Sequence, residues 1–158
     1  MFNESLNSPI GPIEIQASST GITKVSFGTS ITKPNGNELT MACRKQLVEY
    51  LDGSRTQFEL PLEPVGTEFQ KKVWNQLSHI PYGKSISYSS LAIALGDIKC
   101  VRAAGTANGK NPIPIIIPCH RVIGSDGSLV GFSAGLDKKE WLLMHEGIIK
   151  GSQLKIFS

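Results

Sequence analysis

A chain of 158 residues, 40% hydrophobic and 18% charged, is long enough to bury a core in one unit or two small ones. That composition excludes a disordered or fibrous protein. No apolar run approaches the roughly 20 residues of a membrane helix, and Met1-Phe2-Asn3-Glu4-Ser5 lacks the basic-then-apolar order of a signal peptide, so the expectation is a cytoplasmic protein with no membrane partner. The net charge of +3 is uneven, −2 through Gly66 and +5 from Thr67 onward. A basic second part points to a polyanionic partner, although a solvated surface gives the same imbalance.

In chain order, Ile13-Glu14-Ile15-Gln16-Ala17 alternates apolar and polar residues as a half-buried strand does, and Gly21 to Phe27 repeats the pattern after a Ser-Ser-Thr-Gly turn. Together they predict a hairpin. Leu39 to Leu51 has helical spacing, with Gly53 as its stop, and Phe58-Glu59-Leu60 reads as a further strand. Pro61, Pro64 and Gly66 mark a boundary. Thr67 and Gln70 fit a capping box before a helix carrying Phe69, Val73, Trp74 and Leu77. Ser87 caps a helix through Leu91, Ala92 and Leu95 that Gly96 closes. Asp97 caps another through Val101, Ala104 and Ala107 that Gly109 closes. The pair reads as a helix-turn-helix with Lys99 and Arg102 in the first turns of the recognition helix, or as an ordinary helical hairpin in a core. Three prolines between Asn111 and Pro118 exclude a regular helix there, and the apolar isoleucines make it a buried, stiff connector. Gly124 to Gly135 reads as a loop and Asp137 to His145 as a closing helix with Trp141, Leu142 and Met144. The fold class is therefore α+β. A small N-terminal sheet-and-helix subdomain over 1–65 packs on a helical subdomain over 66–158 containing the helix-turn-helix.

The three cysteines form neither a disulfide framework nor a zinc ligand set. Cys43 and Cys100 read as small buried hydrophobes. Cys119 differs in being followed by His120, because an imidazole favours the reactive thiolate. Neighbours on a strand point to opposite faces, so this pair needs a turn or a bridging water. Glu146 can orient the imidazole as a third member. His79 and His145 have no comparable neighbours. A chance Cys-His dipeptide, or a thiol hydrolase using Cys119, His120 and Glu146, fits these residues equally well.

Pro118-Cys119-His120-Arg121-Val122, preceded by Asn111-Pro112-Ile113-Pro114-Ile115-Ile116-Ile117, resembles the active-site signature of the O6-alkylguanine-DNA alkyltransferases. Tyr82-Gly83-Lys84, Ser87-Tyr88, Arg102-Ala103-Ala104-Gly105, Gly131-Phe132-Ser133 and the run Lys139 to Gly147 resemble family segments in the same order. The resemblance covers about Thr67 to Gly147 and is looser before that. It implies repair of O6-methylguanine, and of O4-methylthymine, by irreversible single-turnover transfer to Cys119 after nucleotide flipping.

In that reading His120 is the base acting through a water, and Glu146 orients it. Asn111 braces the active-site turn. Tyr88 helps rotate the nucleotide and donates a proton to the leaving base. Arg102 fills the gap in the stack, and Ser133 helps bind O6. Backbone carbonyls at Cys119 and Val122 read the guanine amino group. Lys99 lies on the DNA-facing turn, and Ala104 and Gly105 let the helix approach the duplex closely. The partner implied is double-stranded DNA containing O6-alkylguanine, met by a monomer with no cofactor and no metal. Phe132 stands where the family often has tyrosine, and Ala134 where it often has glycine. A regulator with an incidental cysteine would instead leave Cys119 unmodified, and a lesion-binding relative without repair would lack that cysteine.

Overall fold

The computed structural model of the chain describes residues 1–28 and 33–150. It divides into two compact units, Met1–Val65 and Gly66–Ser158, of which the last eight residues of the second lie outside the described residues. Its class is α+β.

In the first unit three antiparallel strands, β1 (Phe2–Leu6), β2 (Ile13–Ala17) and β3 (Ile22–Phe27), lie in the order β1-β2-β3. The hairpin expected from alternation is β2 paired with β3, with Ile13 opposite Phe27 and Ile15 opposite Val25. Strand β1 pairs on the other side of β2, Phe2 opposite Ala17 and Leu6 opposite Ile13. Helix α1 (Glu38–Leu51) covers the sheet, and Cys43, Leu47 and Tyr50 join Ile13, Ile15, Ile22 and Val25 in the core. Asn37 and Thr40 start the helix with a reciprocal capping box, and Gly53 at φ +87° follows its end.

The strand expected at Phe58-Glu59-Leu60 does not form. The Gln46 side chain takes both backbone groups of Glu59, donating to its carbonyl at 3.2 Å and accepting from its N–H at 2.9 Å, so a side chain replaces the ladder. Pairing with the sheet is reduced to a single parallel bridge between Leu62 and Ile22, confined by Pro61 and Pro64.

The second unit begins with α2 (Glu68–Leu77), capped by Thr67 and Gln70. It buries Val73, Trp74 and Leu77 and leaves Phe69 exposed. The Trp74 indole N–H donates to the Ala107 carbonyl at 2.9 Å and ties α2 to α4 (Val101–Gly109). Ser87 caps α3 (Tyr88–Ala94), and Gly96, at φ +103°, turns the chain. The helix expected to run continuously from Asp97 is split. Asp97 caps a 3-10 turn over Ile98–Cys100, and α4 begins at Val101. Cys100, expected to be buried, is only partly so.

Strand β4 (Ile86–Ser87), not legible in the sequence, pairs in parallel with β5 (Val122–Ile123), Ile86 opposite Val122 and Ser87 opposite Ile123. Two residues a strand suffice to bring the start of α3 beside the Cys119 turn. Helix α5 (Leu136–His145) ends at Glu146, with Gly147 at φ +75°. It buries Lys139, Leu142 and Leu143 and leaves Met144 exposed. Among the described residues no helix is long and apolar enough to cross a membrane.

Candidate active site

The connector before Cys119 is held by one side chain. Asn111 Nδ2 donates to the Ile117 carbonyl at 2.7 Å, and its Oδ1 accepts from the Ile113 N–H at 2.9 Å. The Ile117 N–H closes back on the Ile113 carbonyl, and the Cys119 N–H on the Ile117 carbonyl across Pro118. The loop so fixed puts Ile115 at φ +73°, a region that a β-branched residue enters only under constraint. Its isoleucines are buried, Pro112 and Pro114 are half-buried, and the strain at Ile115 is held by the Asn111 brace.

Cys119, His120 and Arg121 then form one 3-10 turn, so the neighbours do not alternate as on a strand. His120 is fully buried, and its Nε2–H donates to Glu146 Oε2 at 2.7 Å. The Glu146 carboxylate also accepts a fork from Arg121, Nε at 2.8 Å and Nη2 at 3.0 Å, and the Gly83 N–H at 3.2 Å. Arg121 Nη1 donates to the Ile80 carbonyl, and the guanidinium stands 5.7 Å from the Tyr82 ring centre. The carboxylate thus faces one permanent cation and one imidazole in a water-excluded place. Burial holds the imidazole below its ordinary value, opposed by Glu146. The resting ring is then neutral, with its proton on Nε2, and His120 Nδ1 is a lone-pair acceptor without a protein partner.

Cys119 is 5% exposed. Burial pushes its thiol up, opposed by the Asn111 hydrogen bond, the Lys139 charge and backbone N–H groups. In the free protein the sulfur is therefore kept as thiol. Lys139 carries an ammonium at 0% exposure, donating at 2.6 Å to the carbonyls of both Val122 and Val130. Burial lowers it from 10.5 to about 8, with Cys119 pulling the other way. With Glu146, Arg121 and Lys139 charged, a thiol leaves one excess buried cation and a thiolate neutralises the group.

Tyr88, half-buried at the start of α3, donates to the Val130 carbonyl at 2.9 Å, and Lys139 Nζ lies 5.8 Å from its ring centre. Gly131 is required beneath it, because a Cβ there would stand 2.7 Å from Tyr88 Oη and Gly131 is at φ +70°. Arg102 is exposed on the first turn of α4, Lys99 on the 3-10 turn before it, and Ser133 on the loop beyond Gly131. Ala104 corrects the sequence reading. It is fully buried on the inner side of α4 and cannot present a surface to a duplex, whereas Gly105 is partly open. The Val122 side chain is buried, and its carbonyl is held by Lys139.

Sequence reasoning gave no role to Arg121 or Lys139. Arg121 was visible within the signature. Lys139 is in register with Leu142, Leu143 and Glu146 on one face of α5, and a lysine in a core-facing register was the signal available. Among the described residues no group of His, Cys, Asp and Glu could hold a metal ion.

Two family models match the chain. The 6-O-methylguanine DNA methyltransferase ribonuclease-like domain matches residues 1–64, and the DNA-binding domain of the same name matches residues 68–148. The methylated-DNA–protein-cysteine methyltransferase of Methanosarcina acetivorans is 44% identical over 93% of this chain and 99% of its own. That of Mycolicibacterium paratuberculosis is 37% identical over 97% and 96%. A crystal structure of Mycobacterium tuberculosis O6-methylguanine methyltransferase superposes with a TM-score of 0.83 at 34% identity, over 99% of both chains. The Mycobacterium tuberculosis protein in complex with DNA gives 0.84 at 36%, over 100% of both. The chain belongs to the O6-methylguanine DNA methyltransferase family, the methylated-DNA–protein-cysteine methyltransferases.

Proposed function

We propose that this chain repairs O6-methylguanine in damaged DNA with Cys119 as the methyl acceptor. The buried chain of contacts from Glu146 to His120, adjacent to Cys119 in a braced turn, is the observation that carries the assignment. The neutral His120 takes the thiol proton on Nδ1 through a water. The thiolate, matched by Lys139, attacks the methyl carbon in line. The S–C bond forms as the C–O6 bond breaks, and the electron pair goes to the base. Tyr88 gives its proton to that leaving guanine. The product is a thioether, which no neighbouring group is placed to cleave, so each molecule acts once.

The methyl group is shielded within a duplex, so the nucleotide turns out of the stack at a cost of a few kcal/mol. Arg102, at the exposed start of α4, fills the gap and recovers part of that cost. Lys99 and Gly105 line the approach, and Ser133 meets O6. The same geometry serves O4-methylthymine. The protein acts as a monomer on double-stranded DNA. Cys119→Ala is expected to bind methylated duplex as the wild type does and to repair none of it. Residual repair by that variant would move the acceptor elsewhere.

A further inference from the structure

Asn108 has no part in the mechanism so far. It lies in the last turn of α4 at 1% exposure. Its Nδ2 donates to the Cys119 carbonyl over a long 3.4 Å, and its Oδ1 is buried without a partner. Asn111, three residues on, shows what a bracing asparagine looks like, its amide bonded at both ends at 2.7 and 2.9 Å. Asn108 braces poorly by comparison. An orphaned buried acceptor costs the fold stability, and an apolar side chain of similar volume would not. Stability therefore does not account for asparagine here.

Its surroundings do. The amino group of guanine carries two N–H donors, which need acceptors once the base has left its pair. The Cys119 carbonyl, which the family resemblance implies for that task, has two lone pairs, and both are engaged. One takes the Val122 N–H that closes the 3-10 turn, the other Asn108 Nδ2. The Val122 carbonyl already holds the Lys139 ammonium at 2.6 Å. The free acceptor beside them is Asn108 Oδ1. The two ends of one carboxamide are neighbours, so Oδ1 lies next to the Cys119 carbonyl. A Cβ on Gly105 would stand 3.5 Å from Tyr88 Cδ1, and residues three apart share a helix face, so Asn108 is on the side of α4 that carries Tyr88. Cys119 is itself only 5% exposed, and a base that reaches its sulfur comes within reach of this neighbour.

We propose that Asn108 is a base-reading residue, its Oδ1 accepting one N–H of the 2-amino group of the flipped guanine. This rests on the assignment of Cys119 as the methyl acceptor. The orphaned oxygen gains its partner only with the lesion in place, so a cost in the free protein becomes a gain in the complex. A base lacking that amino group leaves Oδ1 unpaired, which is how a buried hydrogen-bonding site rejects an analogue. The contact adds no covalent step to the transfer.

The test is single-turnover repair by wild type and Asn108→Leu of one duplex carrying either O6-methylguanine or O6-methylhypoxanthine, the same lesion without the 2-amino group. The amino group also affects pairing within the duplex, but equally for both proteins, so the ratio of the two rate ratios isolates the contact. Asn108→Leu is expected to slow repair of O6-methylguanine on the order of tenfold. On O6-methylhypoxanthine it should stay within about twofold of the wild type. Its melting temperature should equal or exceed that of the wild type, and Asn108→Ala takes its place if the leucine variant does not fold. An equal loss on both substrates, as a merely structural amide would give, or an unchanged rate on O6-methylguanine, overturns the proposal. Peptide mass of the reacted wild type tests the acceptor assignment separately. A methyl found away from Cys119 sinks that assignment, while the rate ratios still decide whether Asn108 senses the amino group.

Discussion

At the scale of single residues the site is a set of buried charges that balance only when Cys119 ionises. Lys139→Met should therefore shift the pH profile of transfer to higher pH, because the cation that opposes the burial of the thiolate is gone. An unmoved profile would remove Lys139 from the account. The same lysine leaves a mark on stability. Its folded value, about 8, lies below its ordinary 10.5, so from pH 8 upward the folded state sheds a proton that the unfolded chain keeps, and stability rises with pH. Cys43 acts in the opposite sense but only above 9, since burial raises its thiol from 9.0 to about 12. Between pH 8 and 9 the wild-type denaturant midpoint should climb, by up to about 1.4 kcal/mol in unfolding free energy. Lys139→Met should lack the climb.

Glu146→Gln breaks more than the imidazole contact, since it also leaves Arg121 buried without its carboxylate. A loss of about 3 kcal/mol in unfolding free energy is expected, together with slower transfer that higher pH partly restores. Wild-type stability and rate in that variant would dissolve the Cys119–His120–Glu146 relay. The sequence carried the chemistry of Cys119, His120 and Glu146 because adjacency and motif order are one-dimensional. Arg121 and Lys139 escaped because their roles depend on burial, and a lysine among leucines reads as surface until the helix face is known.

At the scale of elements, short pieces of backbone set the geometry. The capping signals at Thr67, Ser87 and Asp97 were readable because a cap is a local hydrogen bond. Strand β1 was not, because the polar run Asn3-Glu4-Ser5 hides any apolar alternation, and β4 was not, because it is two residues long; both exist through a partner's register. The expected strand near Phe58 failed for the converse reason, a side chain of α1 having taken its backbone groups. Two glycines on facing elements should respond differently. Gly105→Ala meets Tyr88 at an ordinary 3.5 Å and improves helix propensity, so stability should hold or rise by up to about 1 kcal/mol. Its binding of duplex should weaken if, as proposed, α4 approaches the DNA closely at Gly105. Gly131→Ala places a Cβ 2.7 Å from Tyr88 Oη on a positive-φ backbone, and transfer should slow as Tyr88 is displaced. Single-turnover rates beside duplex affinities separate the two. Equal behaviour would contradict the placement of Tyr88.

At the scale of the whole molecule, the assigned residues all fall in the unit from Gly66 onward, the part that also carries the +5 charge. Duplex binding should fall with added salt and depend little on sequence. Arg102→Ala should slow repair of duplex far more than reaction with free O6-benzylguanine, because only the duplex has a gap to fill. Similar losses on both would deny Arg102 its place in the stack. The central claim is that the braced Cys-His turn takes the methyl group onto sulfur once and keeps it. Mixing the protein with one equivalent of duplex O6-methylguanine and mapping peptides by mass tests it most directly. The account predicts one methyl per protein, on Cys119, with no further repair when more substrate is added. A methyl on Cys43 or Cys100, or continued turnover with an unmodified Cys119, would contradict it.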